Sequence, residues 1–199
     1  MKMIKWLAAL GCVITLAGCA VIFGRSTDDP AVKLQWASEL FSSKDEPVEA
    51  EKLLHEAEEM YEEKSDQLGL AETYREYGLF YRSNAVTKFK KHYREDEGFL
   101  DRTVKFDKRY DKAVEYFNRS KDIYSDYGRI DKLADIYISL AKTYDMMDKQ
   151  KEACDAFTQG LEKFAAYKQA SPEAEELRSE ELANYEEYIG IMKKQSGCP

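Results

Sequence analysis

The sequence predicts an all-α protein built as a row of antiparallel helix pairs, and three observations predict it. The composition is the first: 34% of residues are charged and aromatics are plentiful, with 14 Tyr and 9 Phe against four Pro and ten Gly. Such a chain favours helix, has large side chains for a core, and does not read as disordered. The second is that apolar residues recur at steps of three, four and seven, the period of one helix face. The third is internal repetition. A shift of 63 residues lays Ala50, Tyr61, Leu70, Ala71, Tyr74 and Tyr81 on Ala113, Tyr124, Leu133, Ala134, Tyr137 and Tyr144. A shift of 40 residues lays Leu34, Ala37, Ser38 and Phe41 on Tyr74, Tyr77, Gly78 and Tyr81, and Ala113, Phe117, Ser120 and Tyr124 on Ala153, Phe157, Gly160 and Phe164. The simplest account is a 40-residue unit present three times, with 23 extra residues inside the middle copy.

The elements follow in order. Leu34, Ala37 and Phe41 mark a helix over 31–43. Pro47 opens a second over 47–63, where proline is tolerated because the first turn has no use for its missing N–H. The stripe of Tyr74, Tyr77 and Tyr81 starts a third helix at 68, and Ala85, Phe89 and Tyr93 continue it to 95. After the turn-like Glu95–Gly98, the residues Phe99, Thr103, Phe106, Tyr110, Ala113 and Phe117 predict a fourth helix over 98–127. Tyr137, Leu140, Ala141 and Tyr144 form the face of a fifth, 131–147. Ala153, Phe157 and Gly160 form that of a sixth, 150–168. Small residues at Gly78, Ala141, Ala153 and Gly160 let paired helices approach. A last helix over 172–194 starts at Pro172 behind Ser171 as cap. It breaks the repeat but keeps a stripe of Leu177, Leu182, Tyr185, Ile189 and Met192, as expected of a helix that covers the open end of a stack.

The insertion, 82–112, then reads as a helical-hairpin arm that lengthens both middle helices by roughly 17 Å at 1.5 Å per residue. The repeat core would close without it. The arm holds ten Lys or Arg against six Asp or Glu, on a chain of net charge −8. Lys88, Lys90, Lys91, Arg94, Arg102, Lys105, Lys108 and Arg109 are its candidate contacts. They read either as a solvated face or as a surface for anionic lipid headgroups, peptidoglycan carboxylates or an acidic partner.

With its large, small and aromatic positions at these spacings, the chain resembles a tetratricopeptide repeat protein. The third copy follows that pattern apart from the usual tryptophan and the terminal proline. A 40-residue unit is similar to the longer variety found in some peptide-sensing regulators and kinesin light chains. The resemblance implies that the first helix of each pair lines a concave groove, with contact residues beside the core stripe. Those are Gln35, Glu39 and Ser42 in the first copy, Arg75, Leu79 and Arg82 in the second, and Ile138, Lys142 and Asp145 in the third. Such a groove fits an extended or helical peptide with acidic groups. The asparagines of the two-carboxylate clamp of chaperone-binding relatives are missing, which puts capture of a C-terminal carboxylate in doubt.

The N-terminus carries a different signal. Two lysines in Met1–Lys5, an uncharged and mostly apolar run from Trp6 to Leu16, and a small-residue exit describe a signal peptide, 1–18, too short for a spanning helix. Leu16-Ala17-Gly18-Cys19 resembles the lipobox of bacterial lipoproteins. That resemblance implies cleavage before Cys19 and acylation of this cysteine. Three acyl chains would anchor the protein by on the order of 15 kcal/mol. Ala20, where inner-membrane members often have aspartate, implies the outer membrane, facing the periplasm. Residues 19–30 read as a tether and 31–199 as the helical domain. Loss of Lys2 and Lys5 takes the net charge from −8 to −10, which argues against nucleic acid as a partner. Cys154 and Cys198 read either as a disulfide of an oxidising compartment or as buried free thiols.

Catalytic patterns are missing from the sequence. His55 and His92 lack metal-ligand spacing, and His55-Glu56 has Glu59 where a metalloprotease helix needs its second histidine. There is no phosphate-binding glycine loop, no nucleophile elbow and no Cys-x-x-Cys. No cofactor or metal is expected. The expected function is therefore binding: a lipid-anchored scaffold for a pilus, a secretion system or outer-membrane assembly. The alternative is an immunity or inhibitor lipoprotein that neutralises a periplasmic toxin.

Overall fold

The computed structural model describes residues 27–170 and 185–199, and within them the chain is all-helical. The signal 1–18, Cys19 with its tether up to residue 26, and residues 172–184 of the expected last helix lie outside the described residues. None of the described helices is long and apolar enough to cross a membrane.

Helix α1 (Pro30–Glu39) begins where Asp29 accepts the Ala31 N–H at 2.9 Å, a side-chain cap in front of a first-turn proline. It runs into a π-helical turn, Leu40–Lys44, that ends on Asp45 at φ 56°. Then come α2 (Pro47–Glu63) and α3 (Gln67–Arg82), the latter capped by Asp66 on the Gly69 N–H at 2.9 Å. After a short α4 (Asn84–Lys88) and an irregular stretch follow α5 (Arg109–Asp126), α6 (Ile130–Met146) and α7 (Gln150–Ala170). A final helix, α8, spans 185–195.

Helix α1 packs on α2, α3 on α5, and α6 on α7. Successive pairs meet through α2 with α3, α5 with α6, α1 with α3, and α3 with α6. The repeating positions are the buried ones. Ala50, Ala113 and Ala153 are fully buried one pair after another, and so are Leu54, Phe117 and Phe157. The small positions explain the closeness of the pairs. A Cβ on Gly78 would stand 2.6 Å from the Phe117 ring, and one on Gly160 would stand 2.7 Å from the Ile138 side chain. Ser120, at the position equivalent to Gly160, donates its hydroxyl to Ala71 O at 2.8 Å across the pair interface.

The expected helical arm is not formed. Ser83 adopts extended backbone, φ −65° and ψ 153°, and its Oγ accepts the Val86 N–H at 3.2 Å. This ends α3 and restarts the chain as α4, because a serine hydroxyl competes well with a helix-interior hydrogen bond. Beyond a π-turn at His92–Asp96, Gly98 takes φ 76° and turns the chain back onto the core. Phe99 then sits between Tyr93 and Tyr81, at centroid distances of 4.4 and 5.0 Å. Asp101 ties the next turn by accepting from Thr103 N and Oγ1, and Phe106 is buried in a 3-10 turn, Phe106–Lys108. The helical spacing of Ala85, Phe89 and Tyr93 is misleading: Ala85 and Tyr93 are buried, but Phe89 is 39% exposed. The insertion contributes Tyr93, Phe99 and Phe106 to the buried core, so its removal should destabilise the fold.

At the other end, α8 folds back antiparallel to α7. Glu186 reaches Lys168 at 2.6 Å near the end of α7, while Gln150 at its start donates to Ser196 O and Gly197 O. Tyr185 packs on Phe164 and Ile189 is fully buried. Cys198 arrives beside α7 and is joined to Cys154 by a disulfide, with Cα atoms 5.4 Å apart.

Two stability measurements check this arrangement. Phe99→Ala should lower the unfolding free energy by about 3–5 kcal/mol in denaturant melts, as truncation of a core aromatic does. A change inside about 0.5 kcal/mol would put the insertion outside the core. The disulfide closes a separation of 44 residues, so Cys198→Ser should cost about 4 kcal/mol by the chain-entropy relation. Thiol labelling of both cysteines in protein kept under oxidising conditions would refute the bond.

Candidate functional site

The first helices of the three pairs, α1, α3 and α6, line a groove of about 780 Å³, which α8 borders on one side. Ser38, Phe41 and Ser42 come from α1 and its π-turn, Leu79 and Arg82 from α3, and Lys142, Asp145 and Met146 from α6. Met192 of α8 joins them, and Asp45 and Lys88 stand at the rim. Helical spacing explains the set: Leu79 and Arg82 are three apart, as are Lys142 and Asp145, and residues so spaced share one face.

Arg82 is half-buried. Its Nη1 donates to Ser139 O at 2.9 Å, and its guanidinium lies 5.5 Å from the Phe117 ring centroid. Burial pushes Arg82 down to about 10, so it stays cationic at neutral pH. Lys142 contacts the Tyr188 hydroxyl and lies 4.7 Å from that ring's centroid. Lys88 pairs with Asp45 at 2.5 Å.

A second cavity of about 520 Å³ lies farther along α1 and shares Ser38 and Ser42 with the first. Gln35, Glu39, Glu72 and Glu76 line it, so the face of α1 and α3 is acidic at this end and basic at the other. Lys44 holds Glu39 at 2.8 Å and Lys132 holds Glu72 at 2.7 Å. Arg75 pairs with Glu76, whose carboxyl is pushed up by burial against the opposing pull of Arg75.

Of the expected groove residues, Ser42, Leu79, Arg82, Lys142 and Asp145 thus open on one groove. Gln35 and Glu39 open on its extension, and Arg75 is half-buried in its pair with Glu76. Ile138 does not belong to the set. It is buried, drawn inward by the space that Gly160 leaves. Sequence reasoning missed Glu76 and Met192. Glu76 follows the contact position Arg75 and faces α1. Met192 sat in a stripe read as an end cap, and only the return of α8 brings it to the groove.

The expected basic surface is not one surface. Arg109 is buried, donating to Phe106 O, Tyr110 Oη and Thr87 Oγ1 between the Phe106 and Tyr110 rings. Arg94 pairs with Asp107 at 3.1 Å, and Lys108 with Asp111 at 3.4 Å. The Arg102 guanidinium lies beside Gly98. Lys90, Lys91 and Lys105 are exposed. A count of charges does not report local pairing: Arg94, Lys108 and Arg109 are engaged within the insertion, Lys88 pairs with Asp45 outside it, and Lys90, Lys91 and Lys105 stay exposed.

Beneath the insertion lies a third cavity, of about 310 Å³, walled by Tyr77, Tyr81 and Tyr116 with Glu51 and Glu58. The Tyr77 and Tyr116 rings stack at 4.7 Å. Glu51 is 3% exposed and accepts the Leu100 N–H at 2.8 Å, which fastens the insertion to α2. Burial pushes its carboxyl up to about 7. Among the described residues, no group of three or more His, Cys, Asp or Glu side chains is placed to hold a metal ion.

No family model, curated protein or solved structure matches the chain.

The state of Glu51 sets a pH dependence. Its folded pKa lies above its unfolded value, so its contribution is full below about pH 4.5 and is lost as pH rises through about 7. Glu51→Gln keeps an oxygen for Leu100 N–H and removes the charge. The variant should be more stable than wild type at pH 8 by up to about 3 kcal/mol, and alike at pH 4.5, in denaturant melts at both pH values. An equal difference at both would show that the carboxyl does not titrate in this range.

Proposed function

We propose that the chain is a lipid-anchored, non-catalytic adaptor, which holds a segment of a partner protein during assembly of a cell-envelope machine such as a pilus, a secretion system or outer-membrane assembly. In this reading the helix pairs are three tetratricopeptide-like repeats, α8 closes their open end, and acylated Cys19 fixes the protein to the outer membrane on its periplasmic side. The observation that carries the reading is the groove. Five positions picked as contacts line a single concavity of about 780 Å³, large enough for several side chains. Leu79, Phe41, Met146 and Met192 supply its apolar surface, and Arg82 and Lys142 supply positive charge. Met146 is 46% exposed at its edge, as suits an interface that a partner covers.

A photo-crosslinking residue at Leu79 or Asp145 in intact cells tests the reading. It should capture one envelope-assembly component from the membrane fraction. Capture should fall sharply in Arg82→Glu with Lys142→Glu, and Cys19→Ser should move the protein out of that fraction. Capture of a toxin in place of an assembly component would favour the immunity role. Failure of both positions to capture any protein would overturn the adaptor.

A further inference from the structure

We infer that the groove takes its partner segment in one direction, with a basic side chain seated on Glu76 and an acidic side chain on Arg82 and Lys142. The inference rests on the adaptor reading and adds the chemistry of the bound segment.

The acidic end carries the sharper observation. Glu76 is only 7% exposed and lines the second cavity. Arg75 holds its Oε1, but Oε2 has no hydrogen-bond partner among the described residues. The Ser38 side chain lies beside this carboxyl and opposes the upward push that burial exerts on it. A carboxylate oxygen removed from water and left unpaired is costly, and an ammonium or guanidinium brought into the cavity offsets that cost. Gln35, Ser38 and Ser42 add acceptors around the same space. Glu39 and Glu72 are paired with lysines as Glu76 is with Arg75, but of the three only Glu76 has a buried oxygen without a hydrogen-bond partner among the described residues.

The basic end is complementary. Among the described residues, neither Arg82 nor Lys142 is paired with a carboxylate: Arg82 donates to a backbone carbonyl and Lys142 contacts a tyrosine hydroxyl. A guanidinium has five N–H donors, and one bond to Ser139 leaves others for a carboxylate. The two ends lie on the same helix. Glu76 and Arg82 are six residues apart on α3, which is about 9 Å along its axis. An extended chain covers that span in about three residues. The segment that fits therefore carries opposite charges about three residues apart, in a fixed order, over the apolar floor of Phe41 and Leu79. In a segment whose backbone keeps its direction, exchanging the two charges would set like charges against each other at both ends and weaken binding.

Selection of random displayed peptides on the full folded chain, with Arg82→Glu as counter-selection, tests this. Enriched peptides should carry one Lys or Arg and one Asp or Glu at a single spacing and in a single order. Fluorescence anisotropy on the best peptide should then show about tenfold weaker binding when the two charges are exchanged. Replacing its basic residue with norleucine should weaken binding to wild type and leave binding to Glu76→Gln unchanged, with melting curves confirming that each variant folds. Equal binding of both orders, or an undiminished norleucine penalty in Glu76→Gln, would overturn the direction while leaving the groove as a binding site. If no peptide is enriched over the counter-selection, the direction and the groove reading fall together.

Discussion

The contact on which the groove depends is the one between Gly78 and Phe117. A glycine at 78 lets the Phe117 ring come closer to the α3 backbone than any side chain would allow. Phe117 is fully buried there, and the Arg82 guanidinium, one turn farther along α3, lies over the same ring. From that position Arg82 reaches Ser139 O on α6. One close approach thus seats α3 on α5, and through Arg82 it connects α3 to the third pair. The floor of the groove inherits that geometry. A rigid helix scaffold places side chains more reproducibly than loops do, which matters for a surface that recognises by shape and charge.

Charge is arranged differently inside and outside this scaffold. On the insertion, Arg94 and Lys108 pair with local acids, Arg109 is buried against two rings, and Lys90, Lys91 and Lys105 are exposed. Exposed pairs of this kind contribute little to stability, roughly 0–1 kcal/mol each. Along the groove, by contrast, half-buried cations stand at one end and the buried Glu76 carboxyl at the other. Partial burial keeps water from screening them fully, so their field in the groove is less screened than that of the more numerous surface lysines.

Two long-range connections close the molecule. Glu51 binds the insertion to α2 through the Leu100 N–H, and the disulfide between Cys154 and Cys198 binds the returning tail to α7. They act in different ways. The carboxyl is a local hydrogen-bond contact whose burial favours the protonated form, whereas a disulfide acts mainly by narrowing the unfolded ensemble. Helix α8, held by the second, presents Tyr188 to Lys142 and Met192 to the groove, so the border of the groove depends on a covalent link far along the chain.

The sequence by itself determined the helices and their pairing. Helical period and small residues at fixed steps are local properties, and the burial of Ala50, Ala113 and Ala153 at equivalent places follows from them. It also marked Leu79, Arg82, Lys142 and Asp145, because the flank of a core stripe is set by the same period. Tertiary structure decided the rest. At Ser83 a local hydroxyl cap broke a helical pattern that the spacing of Ala85, Phe89 and Tyr93 had continued, and the turn at Gly98 then brought Phe99 back onto Tyr81 and Tyr93. Ile138 and Lys142 are four residues apart and look alike in a pattern. The missing side chain of Gly160, on another helix, turned one inward and left the other at the groove. The direction of α8 and the lone oxygen of Glu76 were likewise fixed by neighbours distant in sequence. Periodicity reports which residues share a face, and what that face meets depends on contacts that no local pattern contains.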